Sequence, residues 1–267
     1  MSVALFHRED GHPDGPPVLM VHAFPTSHAL WEPQLPALSP RFRLIRPDLR
    51  GLGKSPAAPR PYTMEDMAGD LIALMDRLRI DTFHYIGISM GGMLGQIIAL
   101  DYAQRLLSLS LLMTTSEIPP EAPPSDDPAY AISQRLMRGG AARALSEGME
   151  PIAAMCLDRW FSPDFINSAA AQRVGRIVAA NTPEGYAGGV DALCGFDVTA
   201  RLPAVKVPTL VLAGEQDLGT PPRCSEVIAA RIPGARLEVI SHARHIASVE
   251  QPQAVNEALL AHLQVHD

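Results

Sequence analysis

The stretch Gly87-Ile88-Ser89-Met90-Gly91 decides how this chain is read. Before it, Phe83-His84-Tyr85-Ile86 is apolar, aromatic and branched, which predicts a buried strand. After it, Gly92-Met93-Leu94-Gly95-Gln96-Ile97-Ile98-Ala99-Leu100 predicts a buried helix. A serine on a sharp strand-to-helix turn has a particular chemical use. The glycines let strand and helix approach closely. The turn lifts the hydroxyl to the helix N-terminus, where main-chain N–H groups meet a developing negative charge. Small residues around a serine are common, and a serine in such a turn can simply cap the helix. The strand and helix on either side are what favour a nucleophile at Ser89.

A nucleophilic serine needs a base, and the base needs an orienting acid. Thr209-Leu210-Val211-Leu212-Ala213-Gly214 reads as a buried strand, followed directly by Glu215-Gln216-Asp217. An acid just past the carboxyl end of a parallel strand points into the crevice where such sheets place their chemistry. Leu237-Glu238-Val239-Ile240 reads as the next strand, followed by Ser241-His242-Ala243-Arg244-His245. Asp217 and His245 are the candidates for acid and base. Glu215 and His242 are their rivals. The competing readings are a turn aspartate before Pro221-Pro222 and a surface histidine, one of nine in the chain. Serine, acid and histidine in order at the ends of successive predicted strands argue for a triad.

These features resemble those of the α/β-hydrolase superfamily, and the resemblance covers nearly the whole chain. It includes Asp48-Leu49-Arg50-Gly51-Leu52-Gly53-Lys54-Ser55, a segment that is structural in that family. The expected fold is therefore α/β: a mostly parallel sheet flanked by helices, with a helical cap insertion. Val18-Leu19-Met20-Val21 ends in His22-Ala23-Phe24-Pro25, where hydrolases of this fold commonly carry His-Gly-x-Pro. The resemblance implies that the N–H groups of Phe24 and Met90 form the oxyanion hole. Ala23 replaces the usual glycine, and His22 is expected to fasten the loop by hydrogen bonds.

A narrower resemblance is to the 3-oxoadipate enol-lactonases. It rests on Trp31-Glu32-Pro33-Gln34-Leu35-Pro36-Ala37-Leu38, Gly87 to Gln96, Arg159-Trp160-Phe161-Ser162-Pro163 and Asn181-Thr182-Pro183-Glu184-Gly185-Tyr186. Asp217 to Pro222, Ile232-Pro233-Gly234-Ala235-Arg236 and Val249-Glu250-Gln251-Pro252 extend it. The chain departs from it at His22 to Pro25, where those lactonases usually carry an Asn-Ser-Leu-Gly type run. It departs again at Arg244, where a small residue is more usual. The resemblance implies a substrate carboxylate met by an arginine, with Arg135, Arg138, Arg159 and Arg244 as candidates. Trp160 and Arg244 are the expected substrate-binding residues.

The whole chain sets wider bounds. At 267 residues, 47% apolar and 19% charged, it suits one globular enzyme domain with a large core. A net charge of −7 with scattered arginines gives no basic footprint for nucleic acid. The three cysteines, Cys156, Cys194 and Cys224, are too few and too far apart for a disulfide framework or a zinc site. Free thiols, no signal peptide and no bilayer-length apolar run point to the cytoplasm, away from membranes. No cofactor motif is present, and Gly51-Leu52-Gly53-Lys54-Ser55 lacks the spacing of a phosphate loop. Oligomeric state is not legible.

Strand and helix patterns alternate from Val18 to about Thr114. Thr63-Met64-Glu65-Asp66 is a capping-box sequence, and helical spacing continues to about Arg79. The proline-rich run Ile118 to Pro128 reads as a linker, Ala129 to Gly195 as helical, and strand signals resume near Thr209. The expectation is a hydrolase core in 1–115 and 196–267 with a helical cap in 116–195. The expected chemistry is hydrolysis of a small-molecule ester or lactone through an acyl-enzyme. Relatives with the same triad could be carboxylesterases, carbon–carbon bond hydrolases or cofactor-free perhydrolases. A ligand receptor on the same fold is the non-enzymatic alternative.

Overall fold

The computed structural model describes residues 2–121 and 133–266. Among the described residues seven strands form one sheet: β1 His7–Gly11, β2 Pro17–Val21, β3 Arg43–Pro47, β4 Phe83–Ile88, β5 Leu106–Leu112, β6 Thr209–Gly214 and β7 Arg236–Ile240. Their order is β1-β3-β2-β4-β5-β6-β7, parallel except for β1, which runs antiparallel to β3. The inner strands β4 and β6 are buried throughout, which is why they read as largely apolar runs with no polar alternation. From β2 the chain steps outward to β3 and then returns to β4 on the other side of β2. The carboxyl ends of β2 and β4 therefore flank the topological switch point, the place where open α/β sheets form their crevice.

The sequence reading missed β1. His7–Gly11 is polar and half exposed, with no alternating apolar signal. It is held by its ladder to β3 and by ion pairs, Arg43 to Glu9 at 2.6 Å and Arg46 to Asp10 at 2.5 Å. Both are contacts across strands that local sequence does not announce.

The helices are α1 Leu35–Leu38, α2 Met64–Arg77, α3 Met90–Asp101, α4 Gln134–Glu147, α5 Glu150–Trp160, α6 Ala169–Ala179, α7 Pro183–Leu193, α8 Pro222–Arg231, α9 Ala247–Glu250 and α10 Pro252–Val265. The capping box at Thr63 is formed in both directions, Thr63 Oγ1 accepting from Asp66 N and Asp66 Oδ2 from Thr63 N. Ten of the twelve residues of α3 are buried, as its all-round apolar sequence predicts. Helices α4 to α7 occupy the excursion between β5 and β6. Glu117 bridges Asp197 where the chain leaves and rejoins the core. Residues 122–128 of the proline-rich run lie outside the described residues. Among the described residues no helix is long and apolar enough to cross a membrane.

Candidate active site

Ser89 sits between β4 and α3 with φ 55° and ψ −117°. A non-glycine residue adopts such a conformation only when its surroundings compel it. They do so here. Ser89 N donates to Leu112 O at 2.9 Å, and Ser89 O accepts from Thr114 Oγ1 at 2.8 Å and from Met93 N at 3.0 Å. A Cβ at Gly91 would lie 2.2 Å from Val21 O, and one at Gly87 2.2 Å from Gly91 O. The two glycines of the motif are therefore steric requirements of the turn.

Three loops at the carboxyl ends of the strands meet here. His245 Nε2 lies 2.9 Å from Ser89 Oγ, and His245 Nδ1 lies 2.8 Å from Asp217 Oδ2 and 3.1 Å from Oδ1. Ionised Asp217 can only accept, so Nδ1 carries the proton and Nε2 is free to take one from the serine. Asp217 also accepts from Gly219 N at 2.6 Å, Thr220 N at 3.0 Å and Thr220 Oγ1 at 3.0 Å. Its carboxylate is thus aimed before the histidine is counted. The rivals face elsewhere: Glu215 Oε2 accepts from His242 N at 2.8 Å, and both residues are exposed.

His22 is buried, and its Nε2 accepts from Leu49 N at 3.0 Å while Nδ1 donates to Ala23 O at 2.9 Å. Burial lowers its pKa, so it stays neutral, and its hydrogen bonds tie the loop after β2 to the loop after β3. Asp48 is architectural too, accepting from His28 N and Nδ1 at 2.7 Å and from Lys54 N at 2.9 Å. Burial pushes the Asp48 carboxyl up, but the hydrogen bonds from His28 and Lys54 outweigh it and hold the group below the usual carboxylate range. Phe24 and Met90 lie on the wall of one cavity with Ser89 and His245. The Met90 amide, the first of α3, is among the four N–H groups that a helix leaves without an internal partner.

The cavity holds about 710 Å³ of space, its mouth included, under helices α4, α5 and α7. Met93, Met137, Met155, Tyr186 and Leu193 make most of its wall apolar. No cluster of three His, Cys, Asp or Glu able to hold a metal occurs among the described residues.

The family model described as alpha/beta hydrolase fold matches residues 16–252. The chain belongs to the α/β-hydrolase fold family. A 3-oxoadipate enol-lactonase 2 of Acinetobacter baylyi is 32% identical over 97% of this chain and 93% of that one. Among solved structures, the enol-lactonase of Burkholderia xenovorans matches with a TM-score of 0.90 and 31% identity, covering 97% of this chain and 96% of that one. A thermophilic esterase from Thermogutta terrifontis, solved with malate bound, matches with a TM-score of 0.87 and 32% identity, covering 98% and 93%.

Within this α/β-hydrolase the expected substrate residues separate. Trp160 lines the cavity, its ring 6.0 Å from that of His245. Arg159 lines it as well, with Nη2 donating to Leu218 O at 2.8 Å. Arg244 does not. Its Nη1 donates to Asp158 O at 2.8 Å and Phe161 O at 3.0 Å, drawn to carbonyls at the negative end of α5. Arg135 pairs with Glu121 outside the cavity, and Arg138 is exposed.

Sequence reasoning missed the work of Asn181. Its Nδ2 donates to Pro25 O at 3.1 Å and its Oδ1 accepts from Gly53 N at 2.9 Å, joining α7 to the loop that carries Phe24. The only local sign is its place before Thr182-Pro183, the N-cap and first residue of α7. Cys156 also lines the cavity, with burial pushing its thiol up to about 12, so it stays protonated.

Proposed function

We propose that this protein hydrolyses a carboxylic ester or lactone through an acyl-enzyme, with a carboxylate-bearing enol-lactone as its substrate class. One observation carries this reading. The continuous hydrogen-bonded series Ser89–His245–Asp217 opens on an apolar cavity whose wall holds Arg159 and no acidic side chain among the described residues. The names of the enol-lactonase relatives support it, and so does the esterase solved with malate, itself a carboxylate. Helices α4 to α7, the described helices between β5 and β6, serve as the cap that encloses the acyl group. The three free cysteines suit a reducing cytoplasm.

Ser89 Oγ attacks the substrate carbonyl as its proton passes to His245 Nε2. Asp217 fixes the imidazole tautomer and stabilises the imidazolium. The N–H groups of Phe24 and Met90 hold the oxyanion of the tetrahedral intermediate. The ring C–O bond then breaks, and the departing enolate takes the proton from His245. An enol is a stronger acid than an alcohol, so it leaves readily. It stays tethered to the acyl chain and tautomerises to the ketone, which removes the nucleophile that could close the ring again. Water, with His245 as base once more, attacks the acyl-enzyme and releases the acid.

Arg159, on the cavity wall, meets the one free carboxylate of such a substrate in this reading. Arg159→Ala is expected to lower kcat/KM on a carboxylate-bearing enol-lactone about 10- to 100-fold, the weight of one charge-assisted contact. A neutral aryl ester should lose much less. Steady-state rates on both substrates check this. If neutral esters turn over faster than any enol-lactone and the variant affects both equally, the lactone reading falls and ester hydrolysis remains. Equal loss would also mark the Leu218 contact as the whole role of Arg159.

A further inference from the structure

His245 lies in an irregular loop between the end of β7 at Ile240 and the start of α9 at Ala247. No ladder holds this loop, yet the imidazole must stay within hydrogen-bonding reach of both Ser89 and Asp217. The residues on either side of His245 are both tied to the end of α5. Arg244 N donates to Glu250 Oε2 at 2.7 Å, and the other oxygen of that buried carboxylate accepts from Ser162 N at 2.8 Å. Ile246 N donates to Trp160 O. The Arg244 guanidinium then spans Asp158 O and Phe161 O.

The physical chemistry suits a pin. The last carbonyls of a helix have no internal partner and carry the negative end of its dipole, so a cation from another segment binds there. A planar guanidinium can satisfy two acceptors at once. A carboxylate with one main-chain amide on each oxygen fixes the separation of two backbone segments. The same helix end reaches the acid as well, through Arg159 to Leu218 O, next to Asp217.

We propose that Arg244 and Glu250 are positioning residues for His245, which pin its loop to the C-terminal end of α5 so that the cap itself holds the base at Ser89. This rests on the reading of His245 as the general base. Cap and catalytic loop then move as one body. It also accounts for an arginine beside the histidine that touches no part of the cavity.

The test uses the full chain with p-nitrophenyl acetate, a small ester, and counts active sites by labelling Ser89 with a fluorophosphonate. Arg244→Ala and Glu250→Gln are expected to lower kcat per labelled serine about 10- to 100-fold with KM little changed, the scale of misplacing a catalytic group by about 1 Å. Arg244→Lys should recover part of the loss, because an ammonium keeps the charge and reaches one carbonyl. Arg143→Ala, an exposed partner of Glu147 in α4, serves as the control without effect. The downfield proton resonance of His245 Nδ1–H should broaden or shift in the first two variants. Where a variant does not fold, hydrogen exchange of the wild-type protein decides: the amides of Arg244 and Ser162 should open together at one rate. Wild-type kcat and an unshifted resonance in folded variants, or independent exchange of the two amides, would overturn the proposal. Failure of the wild-type protein to take the fluorophosphonate would instead remove the hydrolase reading, while amide exchange would still judge the pin.

Discussion

Ser89 illustrates how much a single residue's surroundings do. Its left-handed backbone conformation is held by main-chain contacts and by flanking glycines, not by its own hydroxyl. Ser89→Ala should therefore fold with a melting temperature close to wild type and lose about four to six orders of magnitude in kcat. Circular dichroism and a burst-phase ester assay check both halves. Retention of more than a few per cent of activity would remove Ser89 as nucleophile. The acids separate in the same way. Asp217→Asn should cost about 10⁴-fold in kcat, because an amide no longer stabilises the imidazolium or selects its tautomer. Glu215→Gln should cost little, since Glu215 ties only the exposed His242 turn. The opposite ranking at matched pH would transfer the role to Glu215.

At the scale of elements, helix α7 shows how the excursion between β5 and β6 reaches the site. Gly189 lets α7 lie against the ring of Phe24, and a Cβ there would sit 2.2 Å from a ring carbon. One turn away, Tyr186 stacks on the same ring with centroids 4.9 Å apart. Gly189→Ala should destabilise by about 1–3 kcal/mol through overpacking and lower kcat by shifting the Phe24 amide. Gly139→Ala in α4 has nothing within 4 Å and should stabilise by up to about 1 kcal/mol, the ordinary helix preference for alanine. Thermal melts beside kcat separate the two, and an active, stable Gly189→Ala would deny α7 any part in setting the oxyanion loop. The contrast also marks what sequence can convey. Both glycines read alike in a helical pattern, and only the packed partner distinguishes them.

For the whole molecule, acid should be the weak side of stability. His262 of α10 is buried, and burial, with His266 and Arg236 nearby, lowers its pKa to about 4. The unfolded chain takes up that proton near pH 6.5, well before the folded one, so protonation favours unfolding. The stability is fully present above about pH 6.5 and is lost as pH falls toward 4, by roughly 2–3 kcal/mol for this group. Buried neutral His22 adds in the same direction. Melting temperatures between pH 4 and 8 should fall on the acid side, and His262→Gln should flatten part of that slope. An unchanged slope in the variant would show that His262 is not its source.

Local sequence determined a great deal here. Glycine spacing around Ser89, the apolar runs of β2, β4 and β6, the Thr63 capping box and the order of Ser89, Asp217 and His245 all express short-range constraints. A turn, a buried strand and a helix start each need particular residues within a few positions. The tertiary structure alone decided which polar groups meet. It paired polar β1 with β3, sent Arg244 to the end of α5 and left Arg159 in the cavity wall. It also joined Asn181 to the loop of Phe24 across 156 positions of chain. The reason is that a side-chain hydrogen bond or ion pair has no periodicity. An arginine looks the same in sequence whether it finds a substrate or a helix end, and the packed fold chooses between them.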